Sequence, residues 1–80
     1  MEKLEINILI DQISSEIHKN PNISKLYFER GKLYWKLNLK SEAITDFNTA
    51  VSIDPNSPAK TYLDMSTDIM NFYNTDLYNP

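Results

Sequence analysis

The residue types that most often carry enzyme chemistry are sparse in this sequence. The chain has no cysteine and one histidine, His18, so thiol catalysis, a zinc–thiolate centre and a multi-histidine metal site are excluded within one copy. A single glycine leaves no glycine-rich phosphate loop. Asp64 and Asp68 lie one helical turn apart, but two carboxylates without further oxygen ligands make a poor cation site. We therefore expect no enzyme, no catalytic or metal site and no cofactor.

Basic side chains are concentrated in one short part of the chain. The net charge is −3, yet five of the eight Lys and Arg residues fall within 25–40, where Glu29 is the only acid. Lys25, Lys32 and Lys36 are separated by seven and four residues, so they share one face of a helix. The acidic overall balance argues against a general nucleic-acid binder, and the local lysine cluster indicates a more restricted kind of partner.

Two aromatic residues accompany these lysines. Phe28 and Trp35 are seven residues apart and lie on the same side of the helix. Ammonium groups beside aromatic rings suit an extended acidic segment or a C-terminal carboxylate. A simpler explanation stays open, in which Lys25 and Lys32 pair with Glu29 along the helix and Trp35 packs under a later helix.

Apolar periodicity predicts an all-α chain of about four helices, at 3–19, 24–37, 40–53 and 58–73. The isoleucines of the first segment also alternate as in a strand, but a lone strand would have no sheet to join. Asn22 or Ser24 is expected to cap the second helix. Asn38 is expected in the next turn, and Ser57 with Pro58 at the start of the fourth helix.

A spaced set of residues indicates two helices packed side by side: Tyr27, Gly31, Tyr34, Ala43, Phe47, Ala50 and Pro55. The first three share one helical face, and the three from Ala43 to Ala50 repeat the same spacing on the next helix. Gly31 in mid-helix costs roughly 1 kcal/mol relative to Ala. We expect that the missing side chain lets Phe47 or a neighbouring backbone approach closely.

In this pattern residues 24–57 resemble a tetratricopeptide repeat, the helix–turn–helix unit with a period of about 34 residues. Three residues depart from the family. Arg30 stands where Leu is common, Asn38 stands where a Gly between the helices is usual, and Lys40 stands where an aromatic residue is usual. Asn tolerates the left-handed conformation, and Arg can lay its apolar stem along a helix, so the fold is not threatened.

The same period relates the flanking segments to the repeat. Asn20-Pro21-Asn22 precedes Asp54-Pro55-Asn56 by one repeat length, which makes the first helix a degenerate copy of the repeat's second helix. The resemblance implies one domain at 1–73, with half-repeats at 1–23 and 58–73 around the full repeat. The helices would form a short, right-handed antiparallel stack, followed by a tail at 74–80.

The resemblance also implies a function. Members of this family bind peptides in a concave groove, whose residues here would be Lys25, Phe28, Lys32, Trp35 and Lys36. We expect a non-enzymatic interaction module for an unknown protein or peptide, a monomer or weak homodimer, that binds neither nucleic acid nor membrane. The alternative is a self-associating unit that uses its terminal helices and tail. No signal peptide or membrane span is recognisable, so the cytoplasm is the expected location.

The tail is aromatic and Asn-rich, like the ending of small stand-alone bacterial proteins of this type. Phe72, Tyr73, Leu77 and Tyr78 are too apolar for a segment that only moves in water, and Asp76 with the terminal carboxylate complements the basic face. The hypothesis is that the tail folds back onto the domain or docks into a neighbouring molecule's groove. A frayed terminus is the competing explanation.

Overall fold

A computed structural model of the chain describes residues 2–65. Three α-helices run at Lys3–Lys19 (α1), Ser24–Lys36 (α2) and Lys40–Ile53 (α3), and residues 59–65 are helical as well (α4). The predicted all-α class and the bounds of the first and third helices are confirmed, while α2 ends one residue earlier than predicted. The rest of the predicted fourth helix and the tail lie outside the described residues.

The closest packing in the fold joins α2 to α3. Phe47 is fully buried, and an ideal Cβ atom on Gly31 would lie 2.6 Å from its Cε1 and 2.8 Å from its Cδ1. Carbon atoms in favourable contact are about 3.5–4.0 Å apart, so even a methyl group at residue 31 would have to displace the ring. The predicted role of Gly31 in close approach is confirmed. The small Ala43 and Ala50, both fully buried, let α3 lie close to its neighbours.

Residues of α4 complete this core. Ala59 is fully buried in the same apolar cluster as Phe47. The Tyr62 ring centroid lies 5.1 Å from that of Phe47 and 5.6 Å from that of Phe28. Aromatic pairs at such distances contribute about 0.5–1.5 kcal/mol beyond the area they bury. The described part of α4, residues 59–65, therefore packs onto the α2–α3 pair.

A second, smaller core lies between α1 and α2. Ile6 and Ile10 of α1 are buried against Leu33 of α2, and four partly buried residues surround them: Leu9, Ile13, Tyr34 and Leu37. The helical interpretation of the first segment is confirmed. The opposite side of α1 carries Leu4 and Ile8, which are 70% and 48% exposed.

The turns between the helices follow from individual residues. Asn38 has φ 62°, the left-handed conformation that Asn tolerates better than most residues, so its predicted place in the turn is confirmed. At the start of α4 the Ala59 N–H donates to Ser57 Oγ at 3.1 Å, which confirms the predicted cap.

The predicted cap of α2 is wrong. Ile23 occupies the N-cap position and makes no side-chain hydrogen bond there, so neither Asn22 nor Ser24 caps the helix. Ser24 is instead the first helical residue, and its hydroxyl donates to the Ala50 carbonyl oxygen at 2.8 Å. The Ser24 side chain therefore forms a tertiary hydrogen bond between the start of α2 and the end of α3, and does not cap α2 as its local preference predicts.

Candidate functional site

The lysines of α2 form a basic face, which we define as Lys25, Lys32 and Lys36. Lys25 and Lys36 are exposed and Lys32 is half-buried. The Lys32 ammonium lies 3.3 Å from Glu29 Oε2 and 4.6 Å from the centroid of the Phe28 ring. The predicted pairing of Lys32 with Glu29 is thus present, and a cation–π contact holds the same ammonium over an aromatic ring.

A shallow cleft between α1 and α2 adjoins the basic face, and we call it the α1–α2 cleft. Its volume is about 290 Å³, and six residues line it: Leu9, Ile13, Glu29, Lys32, Leu33 and Lys36. Leu9 and Ile13 are partly exposed at its apolar side. The cleft therefore places two ammonium groups beside an apolar surface, and sequence reasoning did not identify its α1 side.

The two aromatic residues of the predicted groove have different surroundings. The partly buried Phe28 packs against Phe47, with ring centroids 6.1 Å apart. Trp35 is partly buried against the α2–α3 core, and the Lys40 ammonium lies 5.8 Å from its ring centroid. The structure brings Phe28 to Lys32, and Lys32 to Lys36, whereas Trp35 and Lys25 do not line the α1–α2 cleft.

An ion pair that sequence reasoning missed joins α2 to α3. Arg30 Nε donates to Asp46 Oδ2 and Arg30 Nη2 donates to Asp46 Oδ1, each at 2.7 Å, while Nη1 donates to Ser14 Oγ at 3.1 Å. The Asp46 side chain is 4% exposed. Its hydrogen bond raises the pKa of Arg30 above the ordinary value, more than burial lowers it, so the guanidinium stays charged. The ring centroids of Tyr27 and Tyr34 lie 5.8 and 5.7 Å from Arg30 Cζ.

The sequence did contain a signal for this pair. Asp46 shares the spacing of Ala43 and Ala50, the face that the pattern assigned to the core, and a charge there requires a partner. Arg30 departs from the Leu that the family prefers at its position. The two charges on facing helices compensate each other, but neither residue alone indicates the partner.

A second open cavity, of about 320 Å³, borders this ion pair and is lined by six residues: Arg30, Tyr34, Ser41, Glu42, Thr45 and Asp46. The bidentate hydrogen bonds already satisfy the buried carboxylate with the guanidinium. The two charged groups Arg30 and Asp46 of this cavity are therefore engaged in joining the helices, which leaves only the exposed Glu42 carboxylate among its charged lining. The α1–α2 cleft, with two lysines, is the better candidate for binding an acidic segment.

Other site chemistries find little support within residues 2–65. No group of three or more metal-ligating side chains comes together there, and His18 lies exposed near the end of α1. None of the helices in this part of the chain combines the length and the apolar content that crossing a bilayer requires.

Comparison with known proteins agrees with the architecture of α2 and α3. The family model of the tetratricopeptide repeat matches residues 24–57. Comparison with curated proteins and with solved structures gives no match. Repeats of this family mediate interactions with proteins or peptides and are not themselves enzymes. With its Gly31–Phe47 contact and its paired helices, the segment 24–57 is a tetratricopeptide repeat.

Proposed function

We propose that the protein is a non-enzymatic module that binds an acidic peptide or protein segment on one face of α2. The observation that carries this proposal is the position of the Lys32 and Lys36 ammonium groups beside the apolar side of the α1–α2 cleft. The remaining residues of the proposed surface are Lys25, Phe28 and Trp35, which extend it along α2. Within the repeat family this face corresponds to the concave side of the stack.

The chemistry of this surface suits carboxylates next to apolar side chains. A ligand carboxylate can accept charge-assisted hydrogen bonds from Lys32 and Lys36, while an adjacent apolar side chain contacts Leu9 or Ile13. The Lys32–Glu29 pair competes with the ligand, but a pair this exposed is worth at most about 1 kcal/mol. Displacing it therefore costs little, and the Phe28 ring keeps the ammonium in place.

The size of the surface indicates weak binding. We expect a partner on a single helix face and one shallow cleft to bury less than the roughly 1,200 Å² typical of stable interfaces. We therefore expect a transient interaction whose affinity falls as salt rises, since part of it arises between exposed charges.

The test is a titration of the ¹⁵N-labelled protein with a short peptide of Glu and Leu, followed by amide chemical shifts. We expect saturable shifts at Ile13, Lys32 and Lys36, and none of comparable size with the same peptide carrying Gln in place of Glu. The variant Lys32→Glu with Lys36→Glu should lose the response. The variant Lys3→Glu with Lys60→Glu makes the same change of net charge at exposed sites of α1 and α4 and should retain it.

Two results of this titration would contradict the proposal. Equal shifts with the Gln peptide would show that the carboxylates are not recognised. Equal loss in both charge variants would show that net charge, and not the basic face, attracts the peptide.

A second candidate function is self-association, and one observation favours it. Leu4 and Ile8 lie one turn apart on the side of α1 that faces away from the small core, and both are exposed. Two copies that paired these faces would remove apolar surface from water. Light scattering across a concentration series tests this: a dimer that Leu4→Ser with Ile8→Ser abolishes supports it, and a monomer at all concentrations removes it.

A further inference from the structure

We infer that residues 66–80 of this same chain are a ligand of the α1–α2 cleft and the basic face, bound within one molecule and in competition with outside partners. This inference rests on the proposed function, because it takes the same surface to recognise acidic segments with apolar residues. It assigns the site an occupant that the chain itself carries, and hence a means of regulation.

The first argument is composition. Residues 66–80 contain Asp68 and Asp76 and no Lys, Arg or His, so the segment carries a net negative charge. It also contains six large apolar residues: Ile69, Met70, Phe72, Tyr73, Leu77 and Tyr78. The segment thus combines the two features that the cleft and the basic face would recognise, carboxylates and apolar side chains.

The second argument is proximity. Tyr62, one turn before the last described residue, packs against Phe28, and the Phe28 ring lies 4.6 Å from the Lys32 ammonium. The chain therefore leaves the described structure close to the basic face. With the fourth helix continuing to residue 73 as predicted, eight further helical residues add about 12 Å and the seven residues of the tail up to about 23 Å. The Lys32 side of the α1–α2 cleft adjoins Phe28 and lies within this reach.

The third argument is effective concentration. A ligand that belongs to the same chain as its site, with few residues between them, reaches the site at an effective concentration of the order of millimolar. A small, shallow surface that holds a free peptide weakly can therefore be occupied by a tethered one for much of the time. An outside partner must displace this segment. Its apparent affinity equals its intrinsic affinity multiplied by the fraction of molecules in which the surface is unoccupied.

Spin labelling of the full chain tests the inference directly, since the sequence has no cysteine to remove. A nitroxide on the variant Asn79→Cys should broaden the amide signals of Ile13, Lys32 and Lys36 more strongly than those of the exposed Thr45 on α3. Adding Leu77→Ser with Tyr78→Ser should abolish this preference. The matched changes Asn74→Ser with Thr75→Ser should leave it in place. Uniform broadening, or the same pattern in all three chains, would overturn the inference.

Mixing distinguishes binding within one molecule from binding between molecules. Protein that carries the nitroxide but no ¹⁵N is mixed with ¹⁵N-labelled protein that carries no nitroxide. No broadening in this mixture supports the inference. Broadening at the same residues as in the single-chain experiment would mean that a second copy is the occupant, and the inference would be wrong.

The dissociation constant of the acidic peptide tests the competition. Leu77→Ser with Tyr78→Ser should lower its dissociation constant about 2- to 10-fold, because the internal competitor is weakened. An unchanged dissociation constant would overturn the inference while the proposed function stands. Preferential broadening in a protein that binds no acidic peptide, even with the weakened competitor, would show that residues 66–80 occupy the cleft without competing with a partner. That result would refute the proposed function and the competition, but not the contact within the chain.

Discussion

Arg30 on α2 and Asp46 on α3 form two hydrogen bonds of 2.7 Å each, and the carboxylate is almost completely buried. Arg30 stands where Leu is common in the repeat family. Charges removed from water cost free energy unless they are paired. The stability of the α2–α3 pair therefore depends on both partners being present together.

Removing one partner of the Arg30–Asp46 pair should lower the free energy of unfolding far more than removing both. Arg30→Leu leaves the Asp46 carboxylate buried without its cation and should lower the free energy of unfolding by about 3 kcal/mol or more. Arg30→Leu with Asp46→Ala should recover most of this loss, because no buried charge remains. Urea denaturation measures both. As a control, Lys32→Leu breaks the half-exposed pair with Glu29 and should cost less than about 1 kcal/mol. A double variant as unstable as the single one would contradict this account.

The fold should not accommodate a side chain at residue 31 unless Phe47 is replaced by a smaller residue. Gly31→Leu forces the fully buried ring to move and should cost on the order of 1–3 kcal/mol or more. Combining it with Phe47→Leu should cost less than the sum of the two single changes, because the smaller side chain leaves room. Thermal melting of the four proteins gives the coupling free energy, and strict additivity would show that the two residues do not interact.

The conformation of Asn38 predicts an unequal response to two substitutions. Asn38→Gly should leave the free energy of unfolding nearly unchanged, because Gly adopts a φ of 62° readily. Asn38→Val should lower it by about 1–2 kcal/mol, because a branched side chain is strained there. The same pair of changes at the exposed, helical Ser52 should give the opposite order, with Gly the more destabilising. Melting temperatures decide the comparison.

The Ser24 hydroxyl should contribute through its tertiary hydrogen bond to the Ala50 carbonyl oxygen. Ser24→Ala should cost about 0.5–1.5 kcal/mol, whereas Ser52→Ala on the exposed side of α3 should cost little or stabilise the helix. The loss at residue 24 should stay modest, because the Ala50 oxygen still accepts from the Asp54 N–H. Chemical denaturation of the two variants provides the test.

Much of the fold could be predicted because helix periodicity and repeat spacing are local properties of the sequence. The step from Tyr27 to Gly31 and the matching step from Ala43 to Phe47 are sufficient to predict two packed helices. The cap of α2 could not be predicted, since Ser24 has a favourable local use and a favourable tertiary use. Only the position of Ala50 in space decides between them.

The candidate site shows the same division. Sequence spacing identified the lysines of α2 and their relation to Phe28, because all of these residues lie on one helix. It did not identify the α1 side of the cleft, where Leu9 and Ile13 lie, because that contact depends on how two helices pack. It could not show that the Trp35 ring, which we keep in the proposed surface, also contacts the α2–α3 core and lies beside Lys40.

The sequence by itself therefore determined the bounds of α1 and α3, those of α2 to within one residue, the turn at Asn38 and the need for close approach at Gly31. Each of these follows from backbone preferences and periodicity within a few residues. The tertiary structure alone decided that Arg30 finds Asp46, that Ser24 reaches Ala50, and that an apolar cleft adjoins the basic face. These contacts join residues on different helices, so their distances depend on the packing of the helices and not on the spacing within any one of them.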